Sequence, residues 1–395
     1  MYTTCARIDL DALASNLAAV RNLVGDRALL LALKADGYGH GAVPISRFVQ
    51  EMGLADWLGV ATVAEGVELR QDGVHLPILK LSTCLNGESD AAVAAGLSLT
   101  VTGEASIDAA EAAAARAGRT VGVHLKIDTG MNRLGCPPAV ARGLATRIAA
   151  CEHLDAEGIF THLPASDTAE GEAFTRDELA RFAAVVADIQ DDRRAAGLPA
   201  VKHVHASNSG AILGHALDGL TMVRPGIMAY GYAPDAAHPA SVPLRPVMSL
   251  VSHVLAVRIV RAGETVSYGR TWTAPRDTWV ATVPIGYADG FSRLNSNRGR
   301  MLIGGRSYPV AGRVCMDQTM LDLGPAESPA PVAVGDEVVW LGAQGDARIS
   351  AEEVAALMGT ISHEVLCLVS ARIPREYVPT GDVYQIGSDR PILPA

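Results

Sequence analysis

What the chain lacks excludes several broad classes. Its six cysteines are scattered without C-x-x-C spacing, which argues against a disulfide framework or a zinc cluster and leaves buried, reduced thiols as the simplest reading. Hydrophobic residues make up 49% of the sequence, yet no apolar stretch approaches the roughly 18 residues of a membrane span. The beginning, Met1-Tyr2-Thr3-Thr4-Cys5-Ala6-Arg7, has no apolar core of a signal peptide, so the expected compartment is the cytoplasm. Basic residues are outnumbered: 33 Lys and Arg face 43 Asp and Glu, a net charge of −10 that disfavours a nucleic-acid surface. No internal repeat or low-complexity tract is evident. A soluble protein with small-molecule chemistry and no nucleic-acid or membrane partner is the expectation.

At 395 residues the chain is long enough for two domains. Short apolar runs alternate with Ala-rich amphipathic stretches between about residues 28 and 227. Strands are predicted at 29–33, 58–61, 78–81, 99–101, 121–127, 158–161, 203–205 and 221–223. Eight strands, each followed by a helix-length segment, have the rhythm of an α/β fold of the (β/α)8 barrel type. Thr175-Arg176-Asp177-Glu178 has the pattern of a capping box opening a helix that carries Leu179, Phe182, Val186 and Ile189 on one face. Four prolines between Pro234 and Pro246 interrupt the pattern and suggest a boundary. The expected division is a barrel over residues 11–235 and a smaller, mostly antiparallel β domain over 236–395, joined by a strand from residues 1–10. Single strands are predicted at 250–260, 279–283, 307–310, 319–323 and 337–341, with one helix at 351–358.

The stretch around which the rest is organised runs from Ala28 to Gly41, ALLLALKADGYGHG. A continuous apolar run suits a strand covered on both faces, and this one stops at Lys34. An ammonium at that depth loses hydration, so its pKa falls and the neutral amine becomes a nucleophile or base, as Schiff-base chemistry requires. Gly37, Gly39 and Gly41 let backbone approach an anion, with Tyr38 and His40 as donors. Sites in such barrels gather where strands end. The other predicted strand ends carry Arg133, His162, Asn208-Ser209 and Arg224. Arg133, in KIDTGMNRLG, offers a planar fork for a carboxylate, and Lys126 seven positions earlier would repel it unless neutralised.

The Lys34 run resembles the cofactor-lysine motif of the alanine racemases, and six further motifs follow in matching order from about residue 7 to about residue 370. The resemblance implies a pyridoxal 5′-phosphate (PLP) enzyme that interconverts L- and D-alanine for peptidoglycan, built as a homodimer with shared active sites. It places PLP on Lys34 and sets Arg224, in MVRPGI, against the cofactor's pyridine nitrogen. A guanidinium keeps its protons, so that nitrogen stays unprotonated and the ring is a weaker electron sink than one paired with an acid. Tyr38, Asn208, Ser209, Gly226 and Ile227 match the phosphate-binding positions. Racemisation needs acid/base groups on opposite faces of the α-carbon. Lys34 is one, and the resemblance makes Tyr268, in VSYGR, the other, supplied by the partner subunit and tuned by Arg224 acting through His162.

The same resemblance assigns the substrate carboxylate to Arg133 and the Met316 backbone, lines the path inward with Tyr287 and Arg293, and suggests that Lys126 is carbamylated. The segment ISHEVLC carries His363 where the family usually has a tyrosine that reaches the phosphate. A roomier pocket, with serine or a broader set of amino acids accepted beside alanine, is the expectation drawn from that departure. A lesser departure is Gly37, where alanine is usual. No metal is expected. Three rivals are a metal-dependent hydrolase built on His203, His205, Lys126, His162 and Asp289, a PLP-carrying binding protein without turnover, and a PLP amino-acid decarboxylase on the same architecture.

Overall fold

The computed structural model describes residues 4–85, 87–235 and 241–378. The chain divides into two compact units. One comprises Ala14–Arg245 together with Ala351–Ser370; the other centres on Pro246–Ser350, with the stretches up to Leu13 and from Ala371.

The first strand, β1 (Cys5–Asp9), belongs to the second unit. The next eight build the barrel unit: β2 (Ala28–Ala32), β3 (Trp57–Val60), β4 (Ile78–Lys80), β5 (Ser98–Val101), β6 (Val121–Lys126), β7 (Leu154–Phe160), β8 (His203–His205) and β9 (Met222–Val223). Their order is β8-β7-β6-β5-β4-β3-β2-β9, parallel at every pairing. Hydrogen bonds from Thr221 N to Val204 O and from Arg224 N to Ser207 O, both 2.9 Å, close the seam between β8 and β9. Leu29, Leu30 and Leu31 have no exposed surface, which is why β2 can be apolar at every position. Leu30, Trp57, Leu79 and Met222, from four strands, pack as one cluster.

Thr62 and Glu65 form a capping box at the helix Val63–Gln71. Thr175 and Glu178 do not. The helix that carries them starts at Glu172 after Gly171, a full turn earlier than the sequence pattern suggests, and both residues are buried within it. Glu178 instead accepts from Thr129 Oγ1 at 3.3 Å, so tertiary contact rather than capping fixes its place.

In the β unit, β1 pairs antiparallel with Met248–His253 and parallel with Arg375–Val378. The single strand expected over 250–260 is two strands. Met248–His253 pairs with β1 and Glu337–Gln344, whereas Ala256–Val260 pairs with Thr278–Val283 in a separate three-stranded sheet. The stretch 351–358 is helical, but with the helix Ser362–Cys367 it groups with the barrel unit rather than the β unit.

Candidate active site

Immediately after β2, the backbone at Ala35, Asp36, Gly37, Tyr38 and Gly39 turns left-handed, with φ of 54°, 53°, 61°, 55° and 80°. Each non-glycine residue there costs about 1–2 kcal/mol, so neighbours must hold the turn. Glu65 Oε1 accepts from Ala35 N at 2.7 Å, and Asp36 Oδ1 accepts from Ala42 N at 2.7 Å. His40 Nδ1 lies 3.0 Å from Gly37 O and 2.9 Å from Tyr38 O, so this imidazole stiffens its own loop rather than reaching for a ligand. A Cβ at Gly39 would stand 2.4 Å from Leu366 O, which seats the helix Ser362–Cys367 against the turn. Strain of this kind gathers at sites where one side chain must be aimed. Here it aims Lys34 and Tyr38.

Lys34 stands in the wall of a cavity of about 360 Å³ at the strand ends. The same cavity brings together Tyr38, Lys126, Arg133, His162, Asn208, Ser209, Arg224, Gly226, Ile227 and His363. Sequence reasoning missed Phe160 and Asp167, which also line it. Burial, then Arg133 and Arg224, pull the Lys34 amine below its ordinary pKa. Lys126 is drawn down to about 8 by burial, with Arg224 and Arg133 adding to the effect.

Arg224 is buried, and burial draws its guanidinium down to about 9, leaving it cationic at neutral pH. Nη2 donates to Thr161 O at 2.8 Å and Ala206 O at 2.9 Å, and lies 3.2 Å from His162 Nδ1. Nη1 lies 3.0 Å from His205 Nδ1. Five N–H groups are available, so among the described residues Nε and one Nη1 proton are left over for an occupant of the cavity. Burial and the surrounding cations hold His162 well below an ordinary imidazole, so it accepts from Arg224 as a neutral ring.

At another part of the wall, Ser209 Oγ accepts from Gly226 N at 2.9 Å and Met228 N at 3.4 Å, which leaves its own proton to donate. Asn208 caps the short helix that follows, accepting from Ala211 N at 3.1 Å. A Cβ on Gly226 would lie 2.6 Å from the Tyr38 hydroxyl, so glycine is what lets that phenol approach. The His363 ring sits 6.0 Å from that of Tyr38, and among the described residues its buried Nδ1 has no hydrogen-bond partner. Burial and then Lys34 lower its proton affinity. Arg133 rides a loop shaped by Asp128 Oδ1, which accepts from Gly130 N at 3.1 Å and Asn132 N at 3.0 Å.

Tyr268, Tyr287, Arg293 and Met316 belong to the β unit, outside the group that walls this cavity. All four are exposed. Tyr268 follows Ser267, whose φ is 65° and whose hydroxyl donates to Arg313 O at 2.5 Å. Tyr287 N donates to Cys315 O at 3.0 Å, and Arg372 clamps Asp289 at 2.7 Å and Asp317 at 2.8 Å. Asp289 is therefore taken by an ion pair in the β unit and His205 by Arg224 and His124, and among the described residues no three His, Cys, Asp or Glu side chains gather as a metal site.

A closed (β/α)8 barrel whose first strand ends at an amine of lowered pKa, with hydroxyls, a buried guanidinium and an arginine fork around one cavity, has the make-up of a barrel enzyme. Residues 8–234 match the model of the alanine racemase N-terminal domain and residues 247–377 that of the C-terminal domain. An alanine racemase of Cutibacterium acnes is 48% identical over 373 residues, covering 94% of this chain and 97% of its own. One from Symbiobacterium thermophilum is 41% identical, with 95% and 97% covered. Among solved structures, an alanine racemase from D-cycloserine-producing Streptomyces lavendulae superposes with a TM-score of 0.87 at 34% identity, covering 96% of this chain and 97% of that one. A Bacillus anthracis alanine racemase with bound L-Ala-P gives 0.86 at 31% identity over 98% and 97%. The chain belongs to the alanine racemase family, whose members are isomerases.

Proposed function

We propose that the protein interconverts L- and D-alanine with PLP carried on Lys34, and that Lys34 and Tyr268 of the partner subunit exchange protons with opposite faces of the α-carbon. The observation that carries this reading is the shared cavity wall of a lysine with lowered proton affinity and a buried arginine with N–H groups to spare. The residues present fit the cofactor: an amine for its aldehyde, the Arg224 donors for its ring nitrogen, and Tyr38, Asn208, Ser209, Gly226 and Ile227 for its phosphate. The orphaned Nδ1 of His363 fits a phosphate oxygen. When bound, PLP supplies an electron-accepting ring that makes the α-proton removable.

The chain's own groups do the remaining work. The lowered proton affinity of Lys34 lets it take the α-proton on one face and return it. Arg133 and the Met316 amide orient the substrate carboxylate; that amide has no hydrogen bond within the chain among the described residues. Neutral His162 links Arg224 to the position assigned to the Tyr268 phenol. Tyr287 and Arg293 line the way in.

Carbamylation of Lys126 has a physical rationale. Carbon dioxide adds to a neutral amine, releasing a proton and leaving a carbamate anion between Arg224 and Arg133. With a pKa of about 8, roughly one molecule in ten offers that amine at pH 7. Relatives that are alanine racemases favour alanine over a serine-preferring or broad-specificity enzyme. The product would be D-alanine for peptidoglycan, made in the cytoplasm by a homodimer; among the described residues, no helix is long and apolar enough to cross a membrane.

The test is to incubate purified, PLP-loaded protein with L-alanine, D-alanine and L-serine and separate the enantiomers. Racemisation of alanine in both directions supports the reading, and release of carbon dioxide or unchanged alanine refutes it.

A further inference from the structure

A column of polar side chains crosses the barrel interior, where such barrels usually stack branched apolar residues. It starts at Arg224, beyond the end of β9, and finishes at Ser98, the first residue of β5. Arg224 Nη1 lies 3.0 Å from His205 Nδ1, and His205 Nε2 lies 2.9 Å from His124 Nδ1. His124 Nε2 stands 3.4 Å from Glu157 Oε2, which also accepts from Ser98 Oγ at 2.6 Å. His124 and His205 are wholly buried.

The donors in this column can run only one way. A guanidinium has no acceptor, so His205 Nδ1 must accept and its proton must sit on Nε2. His124 Nδ1 then accepts that proton's hydrogen bond, and its own proton sits on Nε2, facing Glu157. The two imidazoles thus lead from a buried cation towards a carboxylate, the last step being a 3.4 Å approach of His124 Nε2 to Glu157 Oε2 rather than a formed hydrogen bond. Burial and then Arg224 hold His205 well below its usual pKa, consistent with a neutral ring. Among the described residues Arg224 has no carboxylate partner of its own.

The backbone is shaped to admit the column. Val123 pairs with Ala156 and His124 with Gly158, so a register shift leaves Glu157 as the extra residue of a bulge, the feature that re-aims a side chain in a sheet. A Cβ at Gly158 would stand 2.2 Å from His124 Nδ1, and one at Gly122 would stand 2.2 Å from Glu157 Oε2. Two glycines and a bulge therefore make room for these two side chains.

We propose that Glu157 and His124 are positioning residues for Arg224: His124 accepts the hydrogen bond of the proton that the guanidinium forces onto His205 Nε2 and so anchors His205 as the acceptor of Arg224, and Glu157 supplies the negative charge that balances the cation. The inference rests on the proposed reading of the site, in which Arg224 faces the cofactor ring. Neither residue touches substrate or cofactor.

The test uses the PLP-loaded enzyme. Glu157→Gln removes the charge while keeping the shape, and is expected to lower kcat about tenfold with KM changed less than twofold, with Glu157→Asp recovering most of the loss. His124→Phe keeps an aromatic ring but removes the acceptor, so kcat should fall with KM changed less than twofold, and in ring-nitrogen NMR of 15N-histidine-labelled protein the His205 Nε2–H signal should shift as it loses its partner. A Glu157→Gln enzyme with wild-type kcat overturns the proposal. So does wild-type kcat in His124→Phe, because a column that serves stability alone would lower the unfolding temperature without lowering turnover. If Glu157→Gln does not fold, Ser98→Ala removes one donor to the carboxylate, and a two- to threefold fall in kcat is expected; no fall overturns the proposal. Wild-type protein that fails to racemise alanine refutes the functional reading instead, while the His205 signal still reports on the column.

Discussion

The two units present their chemistry in opposite ways. In the barrel unit Arg224 is 6% exposed and every donor it shares with the protein is accounted for, while in the β unit Tyr268 is 71% exposed. Tyr287 and Met316, also exposed, sit on loops tied to the Tyr268 turn through Ser267, Arg313 and Cys315. Large side chains held open on anchored loops form a surface that asks for a partner. The contrast teaches that the barrel unit tunes its groups by burial, whereas the β unit holds Tyr268, Tyr287 and Met316 out at its surface, where the proposed reading uses them. That division suits a site completed by a second copy of the chain.

The largest effect expected from breaking the contrast is at Lys34. Lys34→Ala should abolish racemisation, and borohydride reduction followed by peptide mapping should no longer trap pyridoxyl on the chain; trapping on another lysine would refute the assignment. Next comes Tyr268→Phe. Acid/base groups of this kind contribute roughly 10²–10⁴-fold, so kcat should fall by that factor while stability changes by less than about 0.5 kcal/mol, as at other exposed positions. A rate unchanged in both directions would leave the β unit without a proton to deliver.

A methyl at Gly226 meets the Tyr38 hydroxyl. Gly226→Ala should cost about 1–3 kcal/mol of stability by overpacking and weaken PLP retention on dialysis. Gly37→Ala should cost roughly 1 kcal/mol in urea unfolding, because the φ of 61° is strained for alanine. The neighbours of a new Cβ there stand no closer than 3.5 Å, so the loss should come from backbone strain alone.

The last comparison concerns pH. Lys126 binds its proton less tightly in the folded state than in the unfolded one, so between about 8 and its ordinary 10.5 the unfolded chain holds more protons. Stability of the carbon-dioxide-free protein should therefore rise over that window as the buried charge is relieved. Carbamylated protein should lack this rise, and a 13C signal after exposure to labelled bicarbonate, absent in Lys126→Ala, should identify it.

Much of the barrel was legible because burial on both faces leaves a simple mark, an unbroken apolar run ending at a polar residue. Lys34 and Arg224 were readable that way. The helix at 172–195 was read to start too late, because Thr175 and Glu178 imitate a cap while actually packing inward. His124 and Glu157 went unnoticed. His124 shares a strand face with Lys126 by two-residue spacing, which could have signalled it. Nothing local marks Glu157, because a bulge depends on how two strands pair. The left-handed turn after Lys34 was equally hidden, since Ala35 and Asp36 adopt it only under the hold of Glu65 and Ala42.

By itself the amino-acid sequence determined which segments would be buried and where reactive groups would fall along the chain, since apolar periodicity and residue chemistry are local. The tertiary structure alone decided which groups share a dielectric and a hydrogen bond. Proton affinity at Lys34 and Lys126, and the direction of donors through His205, arise from neighbours distant in sequence, and only folding brings those neighbours within reach.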